Sequence, residues 1–369
     1  MDSQWFEIDD VLKIHSPALV IYPERVKENI KRMVAVTGDA TRLMPHVKTH
    51  KTKEIAEMQI QEGIHKFKCA TLAEAEMLGL AGAKEVLIAY QPVGPNCNRV
   101  KELCLKYSAT HFSVVVDNKE SLSTFAKIIG RLEKKPGIYI DLNTGMNRTG
   151  ILPDKGAEEL FEFGLSHNNV RMLGFHAYDG QIHDSDLAVR EEKCEAAFRA
   201  VYLLKNRLEE KHKMKLILVA GGTPTFPIHA RNPEIICSPG TSVFWDYGYQ
   251  DAFSDLDFLP AALLLTRVIS KPAEDLICLD LGYKSVASEN PLPRVKFLNH
   301  PEATPVSQSE EHLVVNVGNS NNYKIGDPFY AIPKHICPTV ALYNEAEVII
   351  NKKTVGQWKI IARNRKISI

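Results

Sequence analysis

The chain has no surplus of charge of either sign: Lys and Arg together number 45, and so do Asp and Glu. A balanced chain offers no basic footprint for nucleic acid, and without a charge block no disordered tail is expected. Long apolar runs are missing too. The longest, near Phe258 to Leu265, falls far short of the roughly 20 residues that cross a bilayer, so no membrane association is expected. The opening Met1-Asp2-Ser3-Gln4-Trp5-Phe6 has neither a basic stretch nor an apolar core, and no signal peptide is expected. Cysteine is sparse and odd in number, seven residues without framework spacing, which points to free thiols in a reducing cytoplasm. No glycine fingerprint follows the first strand-like stretch, which argues against a dinucleotide-binding fold. Repeats and low-complexity tracts are absent as well.

What remains is an ordinary globular composition, 44% hydrophobic and 24% charged over 369 residues, with length for two domains. Ser16 to Tyr22 reads as a first strand, and Pro23 opens a helix to Val36 in the favoured first-turn position. Strands and helices then alternate. Leu43 to Lys48, Lys66 to Ala70, Val86 to Tyr90, Phe112 to Asp117, Gly137 to Asp141, Met172 to His176, Leu216 to Ala220 and Glu234 to Cys237 are short runs of the buried parallel type. Helical stretches separate most of them, among them one capped by Thr71 with Glu74 three residues on. The alternation predicts a (β/α)₈ TIM barrel over residues 16–250.

After about residue 250 the texture becomes strands and turns, with Leu263 to Lys271, Leu276 to Leu279, His312 to Val317, Pro328 to Ile332, Thr339 to Tyr343 and Glu347 to Ile350 strand-like. We expect an all-β domain over 251–369, with residues 1–15, including Trp5 and Phe6, packed onto it.

Chemistry-bearing residues gather at the predicted strand ends. Lys48 lies in Pro45-His46-Val47-Lys48-Thr49-His50-Lys51, where an extended backbone sets three nitrogen groups on one face. Ordinarily such a lysine is solvated; as a Schiff-base lysine it needs an anion cradle. Two loops offer one. Gly221-Gly222-Thr223-Pro224 and Pro239-Gly240-Thr241 follow consecutive late strands, where barrels of this kind bind phosphate. Arg148, flanked by Gly145 and Gly150, can reach a phenolate or carboxylate over the barrel mouth, and Tyr178 offers a ring with a polar handle. Farther on, His335 and Cys337 stand two apart on a stretch read as extended, an N/S pair suited to Zn²⁺ with positions left open.

Taken in order, Ser-Pro-Ala-Leu-Val (16–20), Pro-His-Val-Lys-Thr-His-Lys (45–51), Asn-Thr-Gly-Met-Asn-Arg-Thr-Gly (143–150), Gly-Gly-Thr-Pro (221–224), Pro-Gly-Thr (239–241), Ser-Glu-Glu-His (309–312) and His-x-Cys (335–337) resemble the D-threonine aldolase / D-serine dehydratase family over nearly the whole chain. These are fold-type III pyridoxal phosphate enzymes related to alanine racemase. The resemblance implies an alanine racemase-like barrel with a metal-binding β-domain, and a homodimer. It implies that Lys48 carries pyridoxal 5'-phosphate, Arg148 holds its 3-oxygen, Tyr178 sits against the ring, and Gly222, Thr223, Gly240 and Thr241 cradle the phosphate. His335 and Cys337 become ligands of a divalent metal, Zn before Mn or Mg, near the substrate's β-hydroxyl. Two positions depart from the family pattern: Met44 replaces the arginine common before Pro-His, and Leu313 replaces the glycine common after the histidine.

The activity so implied is a lyase acting on small D-β-hydroxy-α-amino acids, by retro-aldol cleavage or by dehydration. Within the family His-x-Cys goes more with dehydratases, so Cys337 favours elimination. Alternatives are a non-catalytic cofactor carrier, which needs no β-domain, and a racemase, against which Ser238 stands where racemases have arginine.

Overall fold

The computed structural model describes residues 4–369; residues 1–3 of the segment expected to join the β-rich region lie outside the described residues. In chain order the elements begin with β1 (Ala18–Ile21) and α1 (Pro23–Thr37). Then come α2 (Lys53–Gln61), β2 (Lys66–Cys69), α3 (Leu72–Leu80), β3 (Glu85–Ile88), α4 (Pro95–Lys106), β4 (His111–Val116), α5 (Lys119–Ile129), β5 (Gly137–Asn143), α6 (Lys155–Leu165), β6 (Arg171–Tyr178), α7 (Leu187–His212), β7 (Ile217–Ala220), α8 (Phe226–Ala230) and β8 (Ile235–Cys237). Caps set the helix starts. Thr71, Asn118, Asp154 and Asp186 each accept a first-turn backbone N–H with their side chains.

Strands β2 to β8 lie side by side in sequence order, all parallel. The expected strand Leu43–Lys48 is shorter than the sequence reads: it makes bridges from Leu43 to Cys237 and from His46 to Lys68. Those bridges nevertheless join the two ends of the sheet. Met44 donates to Cys237 O and His46 to Pro239 O, both at 2.8 Å, while Lys68 donates to Pro45 O at 3.0 Å. The cylinder is therefore closed, and its interior carries an apolar layer of Met44, Leu87, Val115, Tyr139 and Val219. Because strand side chains alternate, Asp141 also points inward two residues past Tyr139, and this begins a polar layer nearer the carboxyl ends.

The chain forms two compact units. The barrel unit comprises Lys31–Lys48, Lys53–Gly240 and Asn364–Ile369; the other comprises 4–30, Thr49–Thr52 and Thr241–Arg363. Its remaining elements are α9 (Tyr247–Ala252), β9 (Ala262–Ser270), β10 (Leu276–Leu279), β11 (Val295–Phe297), β12 (Thr304–Gln308), β13 (Leu313–Asn316), β14 (Pro328–Pro333), α10 (Ile336–Val340), β15 (Glu345–Ile350) and β16 (Lys353–Lys359). One departure from the sequence reading stands out. β1 is not a barrel strand: it runs antiparallel to β9 and parallel to β15 inside the second sheet. An apolar run buried on both faces reads alike in either sheet, and only long-range pairing separates the two cases. Trp5 and Phe6 do pack onto the β-rich core, with Val20, Tyr22, Leu263, Leu265 and Tyr330. The stretch Thr339–Tyr343, strand-like in sequence, instead finishes α10 and turns away. Pro338 cannot donate to a ladder and suits a first helical turn.

Candidate active site and metal turn

Lys48 occupies a single 3-10 turn, Val47–Thr49, where a strand face was expected. The three-nitrogen face does not form. His46 turns its Nδ1 back to accept the Lys48 N–H at 3.3 Å, and His50 accepts the Thr52 N–H at 3.1 Å. Both imidazoles act as backbone caps, and burial drives His50 down to about 3, so its ring is neutral.

Tyr178, at the end of β6, is the centre of the barrel mouth. Lys48 Nζ lies 5.9 Å from its ring centroid, Lys68 Nζ 5.6 Å and Arg148 Cζ 5.1 Å. Among the described residues, none of these three cationic groups makes a hydrogen bond or ion pair. Arg148 is placed by its loop. Asn143 Oδ1 accepts from Gly145 N at 3.0 Å and from Asn147 N at 3.1 Å. Gly150 has φ +97°, and a Cβ there would meet Asn143 N at 2.7 Å, so the loop closes tightly only with glycine.

Below the cations Asp141 accepts from His176 Nδ1 at 2.7 Å and from Thr149 Oγ1 at 2.9 Å. Burial would raise the Asp141 pKa, but these bonds and the Lys68 charge hold it below the usual carboxylate range. Burial pushes His176 downward despite Asp141. With its proton on Nδ1, His176 presents Nε2 as a bare acceptor, and that atom is buried without a partner.

The two glycine loops are joined: Gly240 N donates to Thr223 Oγ1 at 3.1 Å. Gly222 lies beside Tyr178, where a Cβ would come within 3.0 Å of Cε2, so the missing side chain lets the ring pack close. Its N–H is engaged by Asp179 Oδ1 and Thr225 Oγ1, both at 3.2 Å. Asp179 organises this corner. It also accepts from Thr225 Oγ1 at 2.9 Å, His229 Nε2 at 2.6 Å and Cys194 Sγ at 3.8 Å.

In the second unit, His335 caps α10 and Cys337 lies in its first turn, so the pair sits on a strand-to-helix corner where an extended stretch was expected. Cys337 Sγ lies 3.2 Å from Thr49 Oγ1 and 3.5 Å from Thr241 Oγ1. His335 Nδ1 meets Glu289 Oε1 at 2.6 Å. Burial disfavours the imidazolium, yet bonding and charge from Cys337, with help from Glu289, raise His335 to about 9. A histidine whose Nδ1 is held by a carboxylate and which has a cysteine sulfur beside it could hold a metal. Asp246, buried and pushed up to about 6, ties the corner down: it accepts from Ile336 N at 3.0 Å and from Tyr249 N at 3.0 Å.

Another trio could hold an ion: Asp179, Cys194 and His229 bring their donor atoms within 4.8 Å of one another, all buried. There, burial and the Asp179 charge keep Cys194 a thiol, and Asp179 is surrounded by donors. The trio is complete as a hydrogen-bond network without an ion.

Lys68, Asp141, His176, Asp179, His229, Glu289 and Asp246 were not singled out from sequence. One signal was available for Lys68, an ionisable residue within a run otherwise read as a buried strand.

Residues 21–247 match the alanine racemase N-terminal domain family, and residues 261–349 match a putative serine dehydratase domain. The chain belongs to the D-threonine aldolase / D-serine dehydratase family, alanine racemase-like in fold. Among members of this family it is 26% identical to the D-threonine aldolase of Arthrobacter sp., over 96% of this chain and 94% of that one. It is 23% identical to the D-serine dehydratase of Dictyostelium discoideum, over 94% and 96%. The crystal structure of D-threonine aldolase from Filomicrobium marinum superposes with a TM-score of 0.87 at 21% identity, covering 95% of this chain and 96% of that one. Among the described residues, no helix is long and apolar enough to cross a membrane.

Proposed function

We propose that the protein is a pyridoxal phosphate- and metal-dependent lyase acting on D-β-hydroxy-α-amino acids, with loss of the β-hydroxyl favoured over cleavage of the Cα–Cβ bond. The observation that carries the reading is the set of three unpaired cations, Lys48, Lys68 and Arg148, around the Tyr178 ring. Unpaired cations at the mouth of a closed barrel call for an anionic ligand. The buried bare Nε2 of His176 and the Tyr178 ring fit an aromatic one with polar substituents.

In this reading Lys48 is the point of covalent attachment, Arg148 faces the cofactor's 3-oxygen, and Tyr178 lies against its ring. Gly222, Thr223, Gly240 and Thr241 take the phosphate. Pyridoxal phosphate, when bound, supplies an electron sink for the pair left at the substrate's Cα. As a free amine, Lys48 would be the group able to take the Cα proton. His335 and Cys337 hold a divalent ion, Zn²⁺ by the softness of the set, and Glu289 fixes the imidazole. Such an ion supplies Lewis acidity toward a hydroxyl. The homodimer expected of the family is part of the proposal.

The deciding experiment incubates purified protein, pyridoxal phosphate and Zn²⁺ with D-threonine. We expect 2-oxobutyrate and ammonia, lost on EDTA treatment while the yellow colour persists. Glycine and acetaldehyde as main products would overturn the elimination reading, and a colourless reconstituted protein would overturn the whole.

A further inference from the structure

Lys68 has no place in the reaction as drawn above, and its surroundings leave a purely structural role without support. It is 2% exposed on β2, inside the barrel unit. A buried ammonium is ordinarily paired. Here no hydrogen bond or ion pair engages it among the described residues. The two carboxylates that act on it, Asp141 and Asp179, are already occupied. Asp141 bonds His176 and Thr149, and Asp179 bonds Gly222, Thr225, His229 and Cys194. Lys48 and Arg148 add like charge around the same Tyr178 ring. At 2% exposure the side chain has little room to reach water. What such a group lacks is an anion brought from outside.

Resting on the function proposed above, we propose that Lys68 is a second cofactor-facing cation, one that shares with Arg148 the 3-oxygen of pyridoxal phosphate and is not itself the attachment point. Burial and the Lys48 charge, against Asp141 and Asp179 and with Arg148, lower Lys68 to about 7. The neutral His176 ring also faces this cluster. Its discharge is thereby brought within reach of neutral pH, and an anion draws the proton onto it.

The test uses cofactor-stripped full-length protein and 4′-deoxypyridoxine 5′-phosphate, which keeps the 3-oxygen and phosphate but forms no bond to lysine. We expect Lys68→Met and Lys68→Gln each to raise its Kd by about tenfold, the loss of one charge-assisted contact. With pyridoxal phosphate itself, the pH at which the visible band titrates should rise by about one unit, since a cation that opposed protonation of the linkage is gone. Borohydride reduction followed by peptide mapping should place the pyridoxyl group of the wild type on Lys48 alone. Unchanged Kd and titration in folded variants would overturn the proposal, and so would label on Lys68. A wild type that binds neither compound would overturn instead the function on which the proposal rests.

Discussion

The barrel mouth and the His335/Cys337 corner concentrate reactive groups by opposite means. In the barrel unit the residues come from several strands and the loops after them: Lys68 from β2, Asp141 from β5 with Arg148 from the loop after it, His176 and Tyr178 from β6, and Gly222 after β7. In the β-rich unit a single corner contributes both donors, His335 and Cys337, with Glu289, Thr49 and Thr241 touching them. The first arrangement is held by the closed sheet, so no one loop can move it far. The second depends on a few hydrogen bonds. Each nevertheless leans on one buried carboxylate that accepts backbone N–H groups from the segment carrying the chemistry, Asp179 in one and Asp246 in the other.

If the two regions do separate work, they should fail separately. His335→Ala or Cys337→Ser should lower turnover by about a thousandfold, the scale of losing a positioned electrophile. Bound metal should fall by elemental analysis, while the visible absorbance stays. Lys48→Ala should abolish both absorbance and turnover and leave metal content intact. Loss of colour in the His335 variant would show that the division is false.

The buried carboxylates sharpen the same contrast. Asp179→Ala strands the Gly222 N–H, the Thr225 hydroxyl, His229 and Cys194 at once. A loss of about 3–5 kcal/mol in urea unfolding is expected, with weaker cofactor binding. Asp246→Ala removes the cap of α9 and frees Ile336 N. A smaller loss, about 2 kcal/mol, should come with a metal affinity reduced by about tenfold and a cofactor affinity unchanged. Equal effects of both variants on cofactor affinity would dissolve the distinction.

The His335/Cys337 corner can be read from sequence because its parts are close neighbours on one stretch, even though Pro338 bends that stretch into a helix start. The glycine loops and Arg148 were legible for a related reason, since turn chemistry marks strand ends. The polar layer was not. Lys68, Asp141 and His176 sit on three different strands, and which strand residues face the barrel interior depends on sheet register, which alternation along one strand does not reveal. β1 was misassigned on the same ground, its partners β9 and β15 lying more than half the chain away. Lys48 escaped its expected strand because the last ladder bond is made by His46 N, after which the chain turns.

The smallest expected effect concerns Lys68 in cofactor-stripped protein, and its sign is informative. The folded pKa, about 7, lies below the ordinary 10.5. Below pH 7 the native and unfolded chains both carry the proton, and the native state bears the full burden of an unpaired buried ammonium. Between pH 7 and 10.5 the unfolded chain binds a proton that the native one does not, so stability rises with pH across that window. Above it the burden is gone. Lys68→Met, of similar length and apolar, should therefore raise Tm by about 2–4 °C at pH 6, and by progressively less toward pH 10. Thermal unfolding of both proteins across that series measures the difference. A gain that is flat with pH would mean the lysine is already neutral or paired at pH 6, and the charge excess at the barrel mouth would then rest on Lys48 and Arg148 alone.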